Sequence, residues 1–378
     1  MNEAKTDLAI YLPFCGDGGV ARVILNLIQV FLAKGLKVDL VLNQVGKSSM
    51  LDQLPPEVEV VDLKATRFTL GASLKMVPKL ISYLRKKQPK TLLSATHTGP
   101  EIAIIAKYLA MVSTRVVISE QTNLSLDIKI GNPLGNQMKS NLIPIAIRFL
   151  YPFACITAAS NGVALDLATT AKLPLESIEV IYNPVITPQL SQKSQESVDH
   201  PWFAPGEPPV VLGVGRLEQQ KDFPTLIHAF AKVRQMQTAK LVILGSGREE
   251  KKLLSLVDEL KLNEDVAMLG FVDNPYAYMA KSAVFVLSSG WEGFGNVVAE
   301  ALAAGAPVVS TNCPSGPAEI LDNGKYGELV AVGNSQGMAE AILRVLSGKV
   351  RSVDSAWLEQ FTLKYSAQKY LELINISV

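Results

Sequence analysis

The chain has 378 residues, with 36 lysines and arginines against 35 acidic residues, so its formal net charge is only +1. This balance gives no overall attraction to nucleic acid, and the length predicts two or three domains of ordinary size. Hydrophobic residues make up 48% of the chain and charged residues 19%, which excludes extensive disorder and favours parallel sheets covered on both faces.

The cysteines and the apolar runs indicate the cellular compartment of the protein. Cys15, Cys155 and Cys313 are far apart and odd in number, which argues against a disulfide framework and against a cysteine metal cluster. Residues 1–7 hold no signal-peptide core, and no run of about 20 predominantly apolar residues is available to span a membrane. We therefore expect a cytoplasmic protein in a reducing compartment.

Short apolar runs alternate with helical patterns along the first half of the chain. The apolar runs cover residues 7–13, 37–43, 58–63, 91–96, 115–120 and 178–182. The helical patterns cover residues 20–34, 73–87 and 99–112. This alternation predicts an α/β domain with a doubly wound parallel sheet.

A segment with six prolines, residues 183–209, separates this half from a second α/β pattern. There, apolar runs at 210–214, 240–244, 266–269, 283–287 and 307–310 alternate with helical patterns at 224–236, 248–260 and 296–304. We predict an N-terminal domain over residues 1–188, a linker over 189–209, a second domain over 210–360, and a C-terminal helix in 361–378 that could cross back to the first domain. Such folds bind ligands at the carboxyl edges of their sheets, here in a cleft between the domains.

The segment 288–304, SSGWEGFGNVVAEALAA, is the strongest local signal. Glu292 lies in a glycine-containing loop, and Asn296 is predicted as the N-cap of a helix that carries Glu300 about one turn in. The start of a helix favours a diphosphate, and the two carboxylates suit sugar and ribose hydroxyls. The alternative is an ordinary loop acid and a solvated helix residue, but the combined pattern favours a nucleotide-sugar site.

A second segment, GVGRLEQQK at residues 213–221, follows a predicted strand. It fails the dinucleotide fingerprint because the sixth position is Glu218 rather than glycine. Arg216 and Lys221 could instead neutralise two phosphates and stabilise a leaving diphosphate, or be plain surface cations. The GSGR turn at residues 245–248 is predicted as a tight turn that could contact the nucleotide.

Several segments, in this order and spacing, resemble the donor half of glycosyltransferase family 4: GVGRLEQQKDF, LVILGSG, MLGFVDN, SSGWEGFGNVVAEALAAGAPVV and STNCPSGPAEIL. In the first half, GDGGVARVILNLIQVFLAKGLKVDLVL resembles the opening Gly-Gly loop of the family, and ASNGVALDLATTAKLPLESIEVIYNPV resembles its interdomain stretch. The resemblance implies the GT-B fold, in which two doubly wound Rossmann-like domains face each other across a cleft. Residues 1–188 would then be the acceptor side and residues 210–360 the nucleotide-sugar donor domain.

The resemblance also implies roles for individual residues. Arg216 and Lys221 would hold the donor phosphates, Glu300 the ribose, and Glu292 the transferred sugar. His97 matches a family position that contacts the donor sugar, although a lone histidine is also often structural. The other donor contacts that the resemblance implies come from Gly18, Gly19, Phe271, Gly293, Phe294, Gly295 and Asn296.

Glu120 ends another strand whose carboxyl end points to the predicted cleft. Many relatives resemble this stretch but carry histidine where this chain has Gln121, so an acid-base role is not implied and Glu120 is predicted as an acceptor contact. His200 and His228 lack metal-ligand spacing. We predict no metal site and no cofactor, because the cationic side chains at the diphosphate make a divalent ion dispensable.

Two segments contain apolar residues together with basic residues. Residues 73–90 could form a basic amphipathic helix on anionic lipid or an ordinary helix that covers a sheet. Residues 142–153, LIPIAIRFLYPF, could be a lipid-facing patch or a buried helix. Peripheral attachment to the inner face of the cell membrane is therefore an open alternative.

Together the residues and the resemblance predict a metal-independent, retaining glycosyltransferase. It would move a hexose or N-acetylhexosamine from a nucleotide diphosphate sugar, with UDP the expected nucleotide, to a hydroxyl of a glycan or lipid-linked acceptor in surface polysaccharide or glycolipid synthesis. Two alternatives stay open: a UDP-sugar epimerase of the same fold, and a non-catalytic glycosyltransferase partner subunit.

Overall fold

The computed structural model describes residues 6–13, 18–46, 48–64, 72–95, 99–131 and 137–374. They form two sheets, whose strands in chain order are β1 Leu8–Leu12, β2 Val38–Leu42, β3 Glu59–Asp62, β4 Thr91–Ala95, β5 Arg115–Glu120, β6 Cys155–Ala158, β7 Ile178–Val180, β8 Val210–Val214, β9 Lys240–Leu244, β10 Val266–Gly270, β11 Val284–Leu287, β12 Val308–Thr311 and β13 Glu328–Val330.

Helices connect almost every pair of consecutive strands. In chain order they are α1 Gly19–Ala33, α2 Ser49–Asp52, α3 Ala72–Lys87, α4 Gly99–Ala110, α5 Leu124–Gly131, α6 Gln137–Leu150, α7 Asn161–Ala171, α8 Pro188–Lys193, α9 Phe223–Met236, α10 Glu250–Glu259, α11 Pro275–Lys281, α12 Asn296–Ala303, α13 Pro317–Ile320, α14 Ser335–Leu346, α15 Ser355–Leu358 and α16 Leu363–Ile374. Single 3-10 turns include Tyr151–Phe153 and Gln219–Lys221.

The first sheet has the strand order β3-β2-β1-β4-β5-β6-β7, and all neighbouring strands pair in parallel. Strand β1 is buried along its whole length because helices cover both faces of the sheet. Its alternate side chains divide between two cores. Ala9 and Tyr11 pack with α3, α4, α6 and α7, while Leu8, Ile10 and Leu12 pack with α1 and α16.

The second sheet has the order β10-β9-β8-β11-β12-β13 and is also parallel throughout. One of its faces is covered by α9, α10 and α14, with Leu226, Phe230 and Ile342 fully buried. The predicted α/β class and the two doubly wound sheets are therefore confirmed.

The chain divides into two compact units, Met1–Pro184 with Leu363–Val378, and Val185–Thr362. Helix α16 belongs to the first unit, where Tyr370 Oη lies 2.8 Å from Ser119 Oγ of β5. Predicted linker residues 189–209 belong to the second unit. Asn274 Nδ2 there donates to Lys193 O at 2.9 Å and to Glu196 Oε2 at 2.7 Å, which binds the end of α8 to the start of α11.

Within the described ranges, no helix is both long enough and apolar enough to cross a membrane.

Candidate active site

The candidate site lies at the carboxyl edge of the second sheet, where the strand order changes direction. From β8 the chain moves to β9 on one side and later reaches β11 on the other side of β8. The loops that follow β8 and β11 therefore leave adjacent strand ends in opposite directions, and a crevice opens between them. Sheets of this class bind ligands in such a crevice. These loops are residues 215–222 and 288–295.

A short ion pair joins the two loops. Lys221 Nζ lies 2.6 Å from Glu292 Oε1, although the residues are 71 positions apart. Ser289 Oγ donates to the same carboxylate oxygen at 2.6 Å. The Lys221 and Glu292 side chains are 15% and 8% exposed, so charge interactions here are weakly screened by water. The structure thus brings together two of the predicted site residues.

Further hydrogen bonds fix one loop against the other. Gly290 N donates to Gln220 O at 2.8 Å, and Gln220 Nε2 donates to Trp291 O at 2.9 Å. Ser288 Oγ donates to Lys221 O at 2.7 Å. Because the main chain on both sides of the ion pair is held, Lys221 is positioned before any ligand arrives.

The GSGR turn after β9 packs directly on the loop after β8. A Cβ at Gly245, where φ is +127°, would lie 2.0 Å from Gly215 O, so only glycine fits. Arg248 Nη2 lies 2.5 Å from Glu218 Oε2, and its hydrogen bond lowers the pKa of that carboxyl below the usual value. The guanidinium of Arg248 therefore already contacts a carboxylate, and the turn serves to support the loop of Lys221.

Helix α12 begins directly after the site loop, but the prediction of its cap was wrong. Gly295 is the N-cap, with φ +88°, and Asn296 is the first helical residue. The left-handed conformation at the cap suits glycine, so Gly295 rather than Asn296 takes the cap position. Glu300 is only 5% exposed, which excludes the solvated helix residue considered from the sequence. Gly293 and Phe294 are buried beside it.

Two other predicted donor residues are solvent-exposed in this unit. Arg216 lies in the loop after β8, five residues before Lys221. Phe271 directly follows β10 and is 66% exposed. Its contact with the donor, which the resemblance implies, stays a prediction.

In the first unit, the predicted glycines lie at the start of α1. Gly18 is its N-cap with φ −95°, and Gly19 is the first helical residue. No atom of the described residues comes within 4 Å of a Cβ built on Gly18, so the unit itself does not require glycine there. Neither His97 nor Cys15 belongs to the described residues.

Glu120 ends β5 and is the buried member of an acidic cluster. Tyr151 Oη donates a short hydrogen bond to Glu120 Oε1. Burial raises the pKa of Glu120 to about 8, and the nearby Glu101 and Asp127 carboxylates add to this rise. Burial also raises the pKa of Glu101, whose Oε2 has no hydrogen-bond partner among the described residues. At neutral pH Glu120 is therefore largely protonated and can donate as well as accept.

This buried acid predicts a pH dependence of stability. In the unfolded chain Glu120 titrates at its ordinary value of 4.5, but in the folded chain at about 8. Between these values only the folded state keeps the proton, so the free energy of unfolding falls by about 1.4 kcal/mol per pH unit as pH rises. Glu120→Gln should remove this contribution and make the melting temperature vary less between about pH 5 and pH 8.

The control is Glu57→Gln, an exposed carboxyl outside the cluster. It should keep the pH dependence of the unsubstituted chain in the same thermal unfolding series. An equally steep loss of melting temperature in Glu120→Gln would contradict the raised pKa.

Sequence reasoning missed two side chains beside the Lys221–Glu292 pair. Ser289 is the hydroxyl donor to Glu292, and its position three residues earlier is the spacing of a tight turn. Cys313 is buried nearby, where burial and then the Glu292 carboxylate raise the pKa of its thiol to about 12. No local pattern indicated Cys313, because it reaches the site from the loop after β12.

Two doubly wound parallel units in one chain, with cations and buried carboxylates at a switch point, define a protein of the GT-B glycosyltransferase class. Residues 17–188 match the family model Glycosyltransferase Family 4, and residues 194–357 match the model Glycosyl transferases group 1. The crystal structure of Anabaena HepE in complex with UDP and glucose has a TM-score of 0.78 at 20% identity, covering 98% of this chain and 100% of that one.

Relatives similar in sequence extend this likeness. The N-acetylgalactosamine-N,N'-diacetylbacillosaminyl-diphospho-undecaprenol 4-alpha-N-acetylgalactosaminyltransferase of Campylobacter jejuni is 31% identical over 348 residues, 90% of each chain. The lipopolysaccharide core biosynthesis glycosyltransferase LpsE of Rhizobium meliloti is 31% identical over 204 residues, 54% of this chain and 57% of that one. The chain belongs to glycosyltransferase family 4 and is a glycosyltransferase.

Proposed function

We propose that this glycosyltransferase transfers a hexose or N-acetylhexosamine from a UDP-sugar, with retention of anomeric configuration and without a metal ion. The acceptor is a hydroxyl of a glycan or of a lipid-linked saccharide in surface polysaccharide or glycolipid synthesis. The observation that carries the proposal is the Lys221–Glu292 pair, 2.6 Å long, at the switch point of the second sheet and beside the start of α12.

The pair matches the chemistry of a sugar diphosphate. A diphosphate at the start of α12 would meet the positive end of the helix dipole and the Lys221 ammonium. Arg216, exposed in the same loop, can turn to a second phosphate oxygen. Glu292 then accepts from a sugar hydroxyl and Glu300 from the ribose.

The other predicted contacts with the donor and the acceptor belong to the same proposal. Phe271 lies against the base, while the main chain of residues 293–296, including Gly293, contacts the sugar. Gly18, Gly19 and His97 are proposed as further donor contacts, as the resemblance implies. Glu120 is the proposed acceptor contact, because a buried carboxyl that carries a proton can both donate to and accept from a hydroxyl.

In the proposed reaction the bond between the anomeric carbon and the phosphate oxygen breaks through an oxocarbenium-like transition state. The acceptor oxygen bonds to the same face that the diphosphate leaves, and a phosphate oxygen takes the acceptor proton. Lys221 and Arg216 stabilise the negative charge that develops on the leaving diphosphate, an effect often worth about 3 kcal/mol per donor. No protein nucleophile is needed for this sequence of bond changes.

The names of the relatives support the donor and the acceptor class. The Campylobacter jejuni enzyme acts on a saccharide joined to diphospho-undecaprenol, and the Rhizobium meliloti relative acts in lipopolysaccharide core biosynthesis. HepE was crystallised with UDP and glucose. A lipid-linked acceptor would bring this chain to the cytoplasmic surface of a membrane.

The test is a panel of UDP-, GDP- and ADP-sugars, with nucleoside diphosphate release measured with and without undecaprenyl-diphosphate-linked saccharide acceptors. We expect acceptor-dependent release of UDP and a product whose anomeric configuration, assigned by NMR, equals that of the donor. Sugar interconversion without acceptor would support the epimerase, and no turnover with any donor would support the partner subunit. A product of inverted configuration would contradict retention.

A chelation arm of the same assay tests metal independence. Because cationic side chains and a helix start replace the metal in the proposed site, EDTA should change the initial rate by less than about twofold. A rate that EDTA abolishes and Mg²⁺ or Mn²⁺ restores would overturn this part of the proposal.

A further inference from the structure

The outer side of the α4–α6 layer exposes an unusual number of large apolar side chains. On α6, Leu142, Ile145 and Phe149 are spaced i, i+3, i+7 and are all exposed, whereas Ile147 on the opposite side of the helix is buried. Helix α6 therefore uses one narrow stripe for the core and presents a second apolar stripe to the outside. The sequence left a lipid-facing patch and a buried helix open for residues 142–153, and the exposure of most of these side chains excludes the buried helix.

The exposed stripe continues onto α4. Phe153, which follows α6, packs its ring edge-on against Tyr108 with centroids 5.2 Å apart. Leu109 and Met111 follow at the end of α4, and Met111 is 85% exposed. We define the α4–α6 apolar surface by its exposed members, which are Tyr108, Leu109, Met111, Leu142, Ile145, Phe149 and Phe153. A contiguous exposed surface of this kind marks an interaction site.

Cations surround this apolar surface. Lys107 Nζ lies 4.0 Å from the centroid of the Tyr108 ring, and Arg148 is exposed beside Phe149 on α6. Arg85 Nη2 donates to Leu109 O at 3.0 Å, which brings the basic end of α3 to the same border. The apolar surface thus has a basic rim.

The surrounding sequence has almost no acidic residues to offset these cations. Residues 63–153 contain 13 lysines and arginines but three acidic residues, Glu101, Glu120 and Asp127. Of the three, Glu120 is buried and Glu101 is partly so. The chain as a whole is nearly neutral, so this excess of positive charge is specific to one region. A second copy docked face to face would bring two such basic rims together, which like-charge repulsion disfavours.

Helix α3, in contrast, turns the apolar side chains that the structure describes toward the core and contributes positive charge to the border. Its side chains Met76, Leu80 and Leu84 are buried in the core, and Lys87 pairs with Glu59 at 2.8 Å. Of the two alternatives that the sequence left open for residues 73–90, the structure supports the ordinary helix that covers a sheet, because its buried apolar side chains pack in the core of the first unit.

We propose that the α4–α6 apolar surface docks onto an anionic lipid bilayer, with its apolar side chains in the interface and its basic rim on the headgroups. Apolar insertion and headgroup attraction are the two contributions that hold an interfacial protein on a bilayer. The inference deepens the proposed function, on which it rests for the lipid-linked acceptor, and it assigns the surface that would bring the first unit to that acceptor.

The test is co-sedimentation of the full chain with phosphatidylcholine vesicles, with or without phosphatidylglycerol, at low and high salt. We expect binding only to the anionic vesicles, and weaker binding at high salt. Met111→Ser with Phe149→Ser should lower the vesicle partition coefficient about tenfold or more. The matched control is Met236→Ser with Leu254→Ser, two exposed apolar residues of the second unit, which should bind as the unsubstituted chain does.

Charge reversal tests the rim separately. Lys107→Glu with Arg148→Glu should lower partition by about tenfold or more at low salt, whereas Lys251→Glu with Lys281→Glu in the second unit should have little effect. No binding of the unsubstituted chain at low salt, or equal binding of the surface and control variants, would overturn the proposal. Concentration-dependent dimers that Phe149→Ser abolishes would overturn it in favour of a second copy.

A soluble acceptor separates this inference from the proposed function. All variants should melt as the unsubstituted chain does and transfer sugar to a short water-soluble acceptor at its rate. Transfer without vesicle binding would reject the surface alone, and vesicle binding without transfer to any acceptor would reject the proposed function alone.

Discussion

Lys221→Ala is expected to lower the rate of sugar transfer by about a hundredfold or more. The ammonium of Lys221 lies at the switch point, 2.6 Å from Glu292 Oε1, and is the least exposed cation of the proposed diphosphate site. Its loss would leave the developing charge on the leaving group without its preorganised cation. The measurement is kcat for nucleoside diphosphate release, with Lys251→Ala, an exposed lysine of α10, as the matched control.

A structural effect of the same substitution can be separated from the catalytic one. Removing Lys221 takes the ion-pair partner at 2.6 Å away from the Glu292 carboxylate, which is 8% exposed, so the melting temperature should fall. Adding Glu292→Gln removes that buried charge and should restore much of the melting temperature without restoring turnover. Transfer close to the original rate in Lys221→Ala would refute the leaving-group role.

Gly316→Ala should destabilise the second unit by about 2 to 5 kcal/mol and disable the site loop. Gly316 has φ +90°, and a Cβ there would lie 1.8 Å from Phe294 O. The obstacle is main chain, so no side-chain rotation can relieve it. The loop that carries Glu292 and Phe294 would have to move, which should lower kcat at least tenfold in the molecules that still fold.

Gly333→Ala is the control that isolates the close contact. Gly333 also has positive φ, at +72°, but nothing lies within 4 Å of its Cβ position. Gly333→Ala should therefore lower the free energy of unfolding only by the conformational strain, about 1 kcal/mol, and should leave the rate of sugar transfer unchanged. The free energy of unfolding and kcat are measured for both variants. Equal decreases in Gly316→Ala and Gly333→Ala would show that the close contact with Phe294 O contributes nothing beyond backbone strain.

Strongly patterned elements could be predicted to within a residue or two. The runs at 115–120, 210–214 and 240–244 are β5, β8 and β9 with the same bounds. Each contains three or more consecutive apolar residues, which is typical of a buried parallel strand. The elements that were missed include the strands β6 and β13 and the helices α5, α7, α11 and α14. Strand β6 has only four residues and is held in the sheet by its neighbours β5 and β7 on either side.

The domain boundary is a second feature that the sequence pattern could not fully predict. Prolines predicted a linker over 189–209, but Thr187 caps α8 there and the segment packs within the second unit. Proline ends regular elements and fixes backbone angles, yet it does not prevent a segment from docking. Composition alone therefore could not separate a free linker from an ordered surface connection.

The α/β alternation, the charged side chains of Lys221, Glu292 and Glu300, and the glycines of their loops follow from the sequence alone. Local periodicity and residue type specify these features, because they depend on neighbours along the chain. The tertiary structure decided which loops meet, that Glu300 is buried, and that α6 faces outward. Those outcomes depend on strand order and on packing between residues tens of positions apart, as the 71-residue separation of Lys221 and Glu292 illustrates.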